Sequence, residues 1–370
     1  LIFLVTFAVM YRAGDTARCA WLAGLHQAIY MLSSLAAGWV LTRRNARMLL
    51  LASTALSLVL GSVCLIMERF GILLAAYGGL GVCMAVFFNS FQTFMRAEAP
   101  PGGLGRSIGL YTLAWSLGAS AGTFGSGLLY QLSFKLLIVL NALIGLAVLA
   151  ILAGHRAKPL EAPAADEQVE TTPRGGRPVD PLYVGIGWIM IFMAMFLQRP
   201  LFSYYPAINA KAGIGAFVTG LPLFLQMAIQ GLFGLSLSRW RRPLYRRLPL
   251  SLAHGGAALL LLALWRWPSP GLCGTGIAVL GFYSGFVYFS SVYYASNSGR
   301  RNLNIGVNEF LVGLGSFGGL FLCEWAMRRT GRDASMYLVI GLALLAALAA
   351  QLVLTAAGRA WREAVRRRPE

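Results

Sequence analysis

Two charged residues stand deep inside long apolar runs of this chain, and each could do chemistry there. Arg199 follows Gln198 and precedes Pro200 within the run 182–205. A cation so placed costs at least ~2.5 kcal/mol on the most lenient insertion scale, so it needs a partner or a watery cavity. It therefore either holds an anionic substrate or belongs to a structural ion pair. Pro200 frees a backbone group beside it, as in the broken helices that line membrane cavities. Glu309 is the clearest acid inside an apolar run, where a carboxyl can load and release a proton. Glu324 lies nearer the end of that run, four residues before Arg328, the spacing of a helical ion pair.

Neutral polar side chains recur at helical spacing in the same kind of segment. Tyr283, Val287, Ser290, Tyr294 and Asn297 step by three or four. Met84, Phe88 and Gln92 do the same, with Asn89 alongside, and Gln226 and Gln230 are one turn apart. His26, Tyr30 and Ser33 share a further face. Amides and amphipathic aromatics bind a moderately polar organic solute without committing to a charge. Taken singly, each also serves as interhelical glue or as an interfacial anchor. The set leaves an organic acid, a sugar or a drug-like molecule open.

Other chemistries find no residues. Cys19, Cys64, Cys83, Cys273 and Cys323 are scattered without a CxxC, and read as small apolar packing residues. His26, His155 and His254 are isolated, and no metal-binding spacing exists. No catalytic residue, metal or cofactor is expected, and an enzyme is not the expected reading.

The elements that hold these residues follow from composition. Hydrophobic residues make up 58% and charged ones 12%, against about 25% charged in a soluble domain. A membrane helix needs about 20 mostly apolar residues. Twelve stretches qualify as spans or partial spans: 1–10, 19–42, 48–67, 70–95, 107–130, 134–153, 182–205, 215–238, 248–267, 271–297, 303–327 and 335–357. The first is too short to cross and reads as a first helix missing its start. The expected fold is all-α and integral to the membrane, with twelve transmembrane helices in two pseudo-symmetric six-helix bundles, the first helix truncated.

Most lysines and arginines fall in alternate loops and in the tail 359–370, which places both termini in the cytoplasm. This also accounts for the +18 net charge, which flanks apolar segments instead of covering one soluble face. Nucleic acid is therefore not an expected partner. Residues 154–181 carry Glu161, Asp166, Glu167, Glu170 and Asp180 among several prolines, and no helix-period apolar face. They read as a cytoplasmic linker between bundles at 1–153 and 182–358.

Two spaced patterns repeat 196 to 197 residues apart. Gly109, Gly118 and Gly122 recur as Gly306, Gly315 and Gly319, and Gly38 with Arg43 recurs as Gly234 with Arg239. Duplicated membrane bundles are characteristic of transporters, with the site between the halves. Glycines four apart share one helical face and let another backbone approach closely. That is ordinary helix packing, or else Gly118, Gly122, Gly315 and Gly319 line faces on which the halves rock. Arg43 and Arg239 either anchor the cytoplasmic helix ends or close that side by reaching carbonyls across the interface.

With these residues the chain resembles the major facilitator superfamily over essentially its whole length. The family's loop between helices two and three reads G-x-x-x-D-R-x-G-R-R. Gly38, Arg43 and Arg47 match it, while Thr42 replaces the acid and Asn45 the second glycine. In the second half Gly234 and Arg239 match, with Ser238 in the acid's place. The family's fifth helix can carry G-x8-G-x3-G-P-x-x-G-G, found mainly in exporters. Gly109, Gly118, Gly122 and Gly127 match it, with Thr123 and Ser126 departing. The resemblance implies that every third helix is peripheral, and helices three, six, nine and twelve are indeed the most uniformly apolar. It implies a secondary transporter working by alternating access on a small organic solute, with protons as a candidate coupling ion. A non-transporting sensor or a lipid-flipping protein of the same fold is the alternative. The expected setting is a bacterial inner (plasma) membrane, with the protein monomeric in the lipid bilayer.

Overall fold

The computed structural model describes residues 2–42, 44–98, 104–155, 181–240, 242–296 and 301–366. Arg43, Asn297, linker residues 156–180 and the last four residues, on which expectations were placed, lie outside them. Among the described residues are twelve α-helices, one 3-10 turn and no strand. The first half comprises α1 (Ile2–Ala13), α2 (Thr16–Val40), α3 (Ala46–Ile66), α4 (Phe70–Glu98), α5 (Leu104–Leu132) and α6 (Phe134–Gly154). The second comprises α7 (Pro181–Lys211), α8 (Ala216–Arg239), α9 (Arg247–Arg266), α10 (Pro270–Ser296), α11 (Arg301–Thr330) and α12 (Ser335–Arg366). The 3-10 turn Arg242–Tyr245 joins α8 to α9.

Nine of these helices are both long and apolar enough to cross a membrane. α2 and α5 have the length but more polar and small residues, because both face protein along much of their surface. α7 runs on to Lys211, past the expected end at 205. It stops only at Gly213, whose left-handed backbone (φ 73°) starts the turn into α8. Gly14, with φ 57°, does the same between α1 and α2, at the equivalent point of the first half. α12 continues helically to Arg366, so the tail expected from 359 is largely an extension of that helix. Charged residues that keep helical periodicity extend a helix into water without a break.

Burial sorts the helices by position. Only 17% of the apolar window of α6 is buried, against 78% in α10, and α3, α9 and α12 stand at 33% each. The peripheral set is therefore the expected one. Inside each half α1 packs on α5 and α7 on α11, while α3 packs on α6 and α9 on α12. Across the halves α5 lies along α8 and α2 along α11, and α1 meets α7.

The pseudo-symmetry extends to helix ends. Arg47 donates to the carbonyls of Leu152 (3.5 Å) and Ala153 (2.9 Å) at the end of α6. Arg247 donates to Thr355 O (3.2 Å) on α12. Each arginine starts a peripheral helix and reaches a backbone carbonyl of the neighbouring one. Of the two, only Arg47 meets unpaired carbonyls at a helix end, where the dipole favours a cation, since α12 continues well past Thr355. Arg12 does this at the other face, bonding the carbonyls of Cys64 (2.9 Å), Leu65 (3.0 Å) and Met67 (3.0 Å).

The repeated glycines are placed differently from the expectation. A Cβ on Gly122 would meet Leu4 N at 3.1 Å, and one on Gly319 would meet Phe196 O at 2.5 Å. Gly315 lies equally close to Phe192 O. These glycines face α1 and α7, the first helix of their own half, and so do not line the rocking interface. A Cβ on Gly118 would meet no atom within 4 Å. Pro200 supplies a physical reason for the approach of Gly319. Lacking an N–H, it leaves Phe196 O without its helical donor, and Gly319 packs onto that carbonyl. The inter-half face uses other glycines: Gly127 against Ala216 O, Gly231 against Ser116, and Gly234 against Thr112.

Candidate functional site

At the centre of the α2–α11 contact, Glu309 is buried and held by the opposite half. Tyr30 OH donates to its Oε2 at 2.5 Å, and Gln92 Nε2 donates to its Oε1 at 2.9 Å. Asn308 beside it is a third hydrogen-bonding neighbour. No cation lies within ion-pair distance among the described residues. Neutral donors from two helices thus take the place of a counter-ion. By contrast Glu324 pairs with Arg328 at 2.6 Å at the end of α11, as its spacing predicts.

Arg199 is the complement. It is only partly buried although it sits deep in α7, and it makes no hydrogen bond or ion pair among the described residues. The structural ion pair expected as one explanation of this residue is absent there. The aromatic hydroxyls of Tyr77, Tyr30 and Tyr288, and the ring of His26, are the groups on which its charge acts. Tyr30 and Tyr288 feel both Arg199 and Glu309, so the two charges flank one polar region. His26 is fixed by Nδ1 donating to Tyr77 O at 2.9 Å.

Aromatic side chains join this region across the halves. Trp115 of α5 stacks on Tyr288 of α10 with ring centroids 5.1 Å apart and planes 4° apart. Tyr111 and Tyr288 bring their hydroxyls to 3.4 Å. Phe3 of α1 packs edge-on against both Trp115 and Phe202 of α7. Beside them runs an amide chain. Gln198 of α7 donates to Gln230 of α8, whose Nε2 donates to Ser116 Oγ of α5 at 3.1 Å.

Several expected residues stand elsewhere. Tyr283 packs edge-on against His254, with ring centroids 5.6 Å apart, and lines a groove beside α9. Tyr294 donates to Leu244 O in the 3-10 turn and so ties α10 to the α8–α9 connection. Asn89 donates back to Ala85 O of its own helix at 2.8 Å. Gln226 is buried with neither amide atom bonded among the described residues. On α10 it is Tyr288, about 100° from Val287, that reaches the central region, so the expected stripe through Tyr283 and Tyr294 faces elsewhere. Arg239 is exposed, with no carbonyl in reach among the described residues, so it does not close the interface as expected. Gly38 lies in the last turn of α2. Tyr77, Tyr111, Trp115 and Tyr288 were missed. The i, i+4 pair of amphipathic aromatics Tyr111 and Trp115 in α5 was the available signal.

A buried polar and aromatic region between two six-helix halves, with an unpaired cation, defines a class. A family model described as Major Facilitator Superfamily matches residues 2–320. The chain belongs to this superfamily of membrane transporters, and it is an integral membrane protein. Among solved structures, the human organic anion transporter MFSD10 (TETRAN) is similar at 14% identity, with TM-score 0.63, over 95% of this chain and 97% of that one. The superfamily transporter FucP, in the outward conformation, is similar at 12% identity, with TM-score 0.60, over 96% and 98%. No curated protein matches the chain by sequence. At these identities the likeness establishes the fold.

Proposed function

We propose that this protein is a secondary transporter of a small organic anion, bound between the halves at Arg199 and moved by alternating access. One observation carries this reading: Arg199 is a partly exposed cation deep in α7 with no protein partner among the described residues. Such a charge is retained in a membrane interior when a ligand or water satisfies it. Tyr30, Tyr77, Tyr288 and Trp115 supply hydroxyls and ring faces for the organic part. An organic anion transporter is also among the proteins that share the fold. Glu309 is the candidate proton site. Its carboxyl meets the same tyrosine hydroxyls as Arg199, so an arriving anion adds negative charge to a region where a proton on Glu309 offsets it.

Uptake into proteoliposomes of a panel of carboxylates, sugars and cationic drugs tests the substrate class. Carboxylates should be taken up and should compete with one another. Arg199→Lys should retain part of this transport and Arg199→Gln almost none, because Lys keeps the charge but loses the planar fork. Normal carboxylate transport by Arg199→Gln, with only lower thermal stability, would make Arg199 structural and overturn the reading.

A further inference from the structure

A groove of about 420 Å³ runs between α8, α9 and α10, away from the interface between the halves. Its walls are apolar, formed by Phe233 and Leu237 of α8, Ala253 and Leu260 of α9, and Val279 and Phe286 of α10. Along α9 it extends from Pro249 to Leu260, about 17 Å at the helical rise of 1.5 Å per residue. Leu252 and Phe282 at its edges are 63% and 50% exposed, so the groove opens sideways to lipid.

The mouth of the groove has the opposite character. Trp240 and Pro243 stand there, Arg239 ends α8, and Arg242 and Arg246 lie in the short connection that follows. All three arginines are exposed, and none has an ion pair or hydrogen bond among the described residues. The sequence gives them no local counter-charge, since no acid occurs between Asp180 and Glu309. One kind of molecule satisfies both ends: an acyl chain bearing a phosphate.

We propose that this groove holds one acyl chain of an anionic glycerophospholipid, whose phosphate is bound by Arg239, Arg242 and Arg246. Guanidinium forks match phosphate geometry. Each basic residue near a membrane surface favours anionic lipid by roughly fivefold. That attraction alone is diffuse, and the groove makes it stoichiometric.

Gly256 lines the groove, and a Cβ added there meets no atom within 4 Å. A large side chain at this position therefore fills the groove without displacing a helix. Gly271, at the far end of α10, is equally open and serves as control. Native mass spectrometry of the detergent-purified protein, titrated with phosphatidylglycerol or with phosphatidylcholine of the same chains, reads the occupancy. The parent protein should retain one phosphatidylglycerol at least tenfold more tightly than phosphatidylcholine. Gly256→Phe should lose that lipid while Gly271→Phe keeps it. The surface double variant Arg242→Gln/Arg246→Gln should bind both lipids alike, and it decides the matter should Gly256→Phe fail to fold. Equal retention of the two lipids by the parent overturns the proposal. So does an undiminished phosphatidylglycerol preference in a folded Gly256→Phe or in the double variant.

Discussion

Tyr30 and Glu309 are 279 residues apart in the chain, yet the phenol hydroxyl of one donates to the carboxylate of the other at 2.5 Å. The bond joins α2 to α11, hence one half of the molecule to the other. A hydrogen bond to a charged group contributes about 1.5–3 kcal/mol, whereas neutral interhelical bonds in membranes average about 0.6 kcal/mol. While Glu309 is ionised this contact outweighs the neutral bonds between the halves, such as Ser120 Oγ to Phe224 O. Any motion that parts α2 from α11 must break it.

Removing the donor should loosen that joint. Tyr30→Phe is expected to lower thermal stability measurably, and Gln92→Leu to do so less, because one donor remains in either case. In a double-mutant cycle Tyr30→Phe and Glu309→Gln should be non-additive, as for residues in direct contact. Strict additivity in thermal unfolding would show that the two side chains do not depend on each other.

Glu309→Gln separates coupling from binding. With the proton site lost, accumulation driven by a proton gradient should stop, while exchange of labelled for unlabelled solute continues. The measurement is uptake into proteoliposomes with and without an imposed gradient. Undiminished accumulation in this variant would remove protons from the mechanism through Glu309.

Gly319 and Gly127 distinguish packing within a half from packing between halves. An added methyl on Gly319 runs into Phe196 O of α7, and one on Gly127 comes within 2.7 Å of Ala216 O of α8. Overpacking of this kind costs about 1–3 kcal/mol. Gly319→Ala should therefore lower the unfolding temperature, and Gly127→Ala should lower transport rate out of proportion to stability. Gly256→Ala, where an added Cβ meets no atom within 4 Å, should change neither property. Matching losses of stability and rate in both variants would dissolve the distinction.

Arg47 holds the end of α6, whereas Arg247 reaches a carbonyl inside α12, so their loss should have unequal effects. Arg47→Gln is expected to destabilise by about 0.5–1 kcal/mol and Arg247→Gln by less, because the dipole effect is confined to the last turn of a helix. The effects should add in the double variant, since distant sites without shared partners are independent. Thermal unfolding of the three proteins checks this, and an Arg247→Gln loss as large as that of Arg47→Gln would show that the helix-end position of the acceptor does not matter.

The sequence by itself determined what depends on solvent. Long apolar runs must form helices in lipid, where no water satisfies a bare backbone. The twelve helices, the peripheral set α3, α6, α9 and α12, and the oddity of Arg199 and Glu309 were therefore legible from composition and spacing. The Glu324–Arg328 pair was legible too, because both residues lie on one helix. Tertiary structure alone decided which helix each face meets. Gly122 and Gly319 have the spacing of a close-packing face, but spacing does not say whether the partner is α1 and α7 or the opposite half. Tyr283, Tyr288 and Tyr294 are equally amphipathic on one helix, and only its rotation against α5, α8 and α9 sends Tyr288 to the centre. Nor does local pattern tell that Glu309 is answered by Tyr30 and Gln92 while Arg199 has no hydrogen bond or ion pair among the described residues. Those pairings come from contacts between residues far apart in the chain, fixed when two half-molecules dock and their side chains must share one interior.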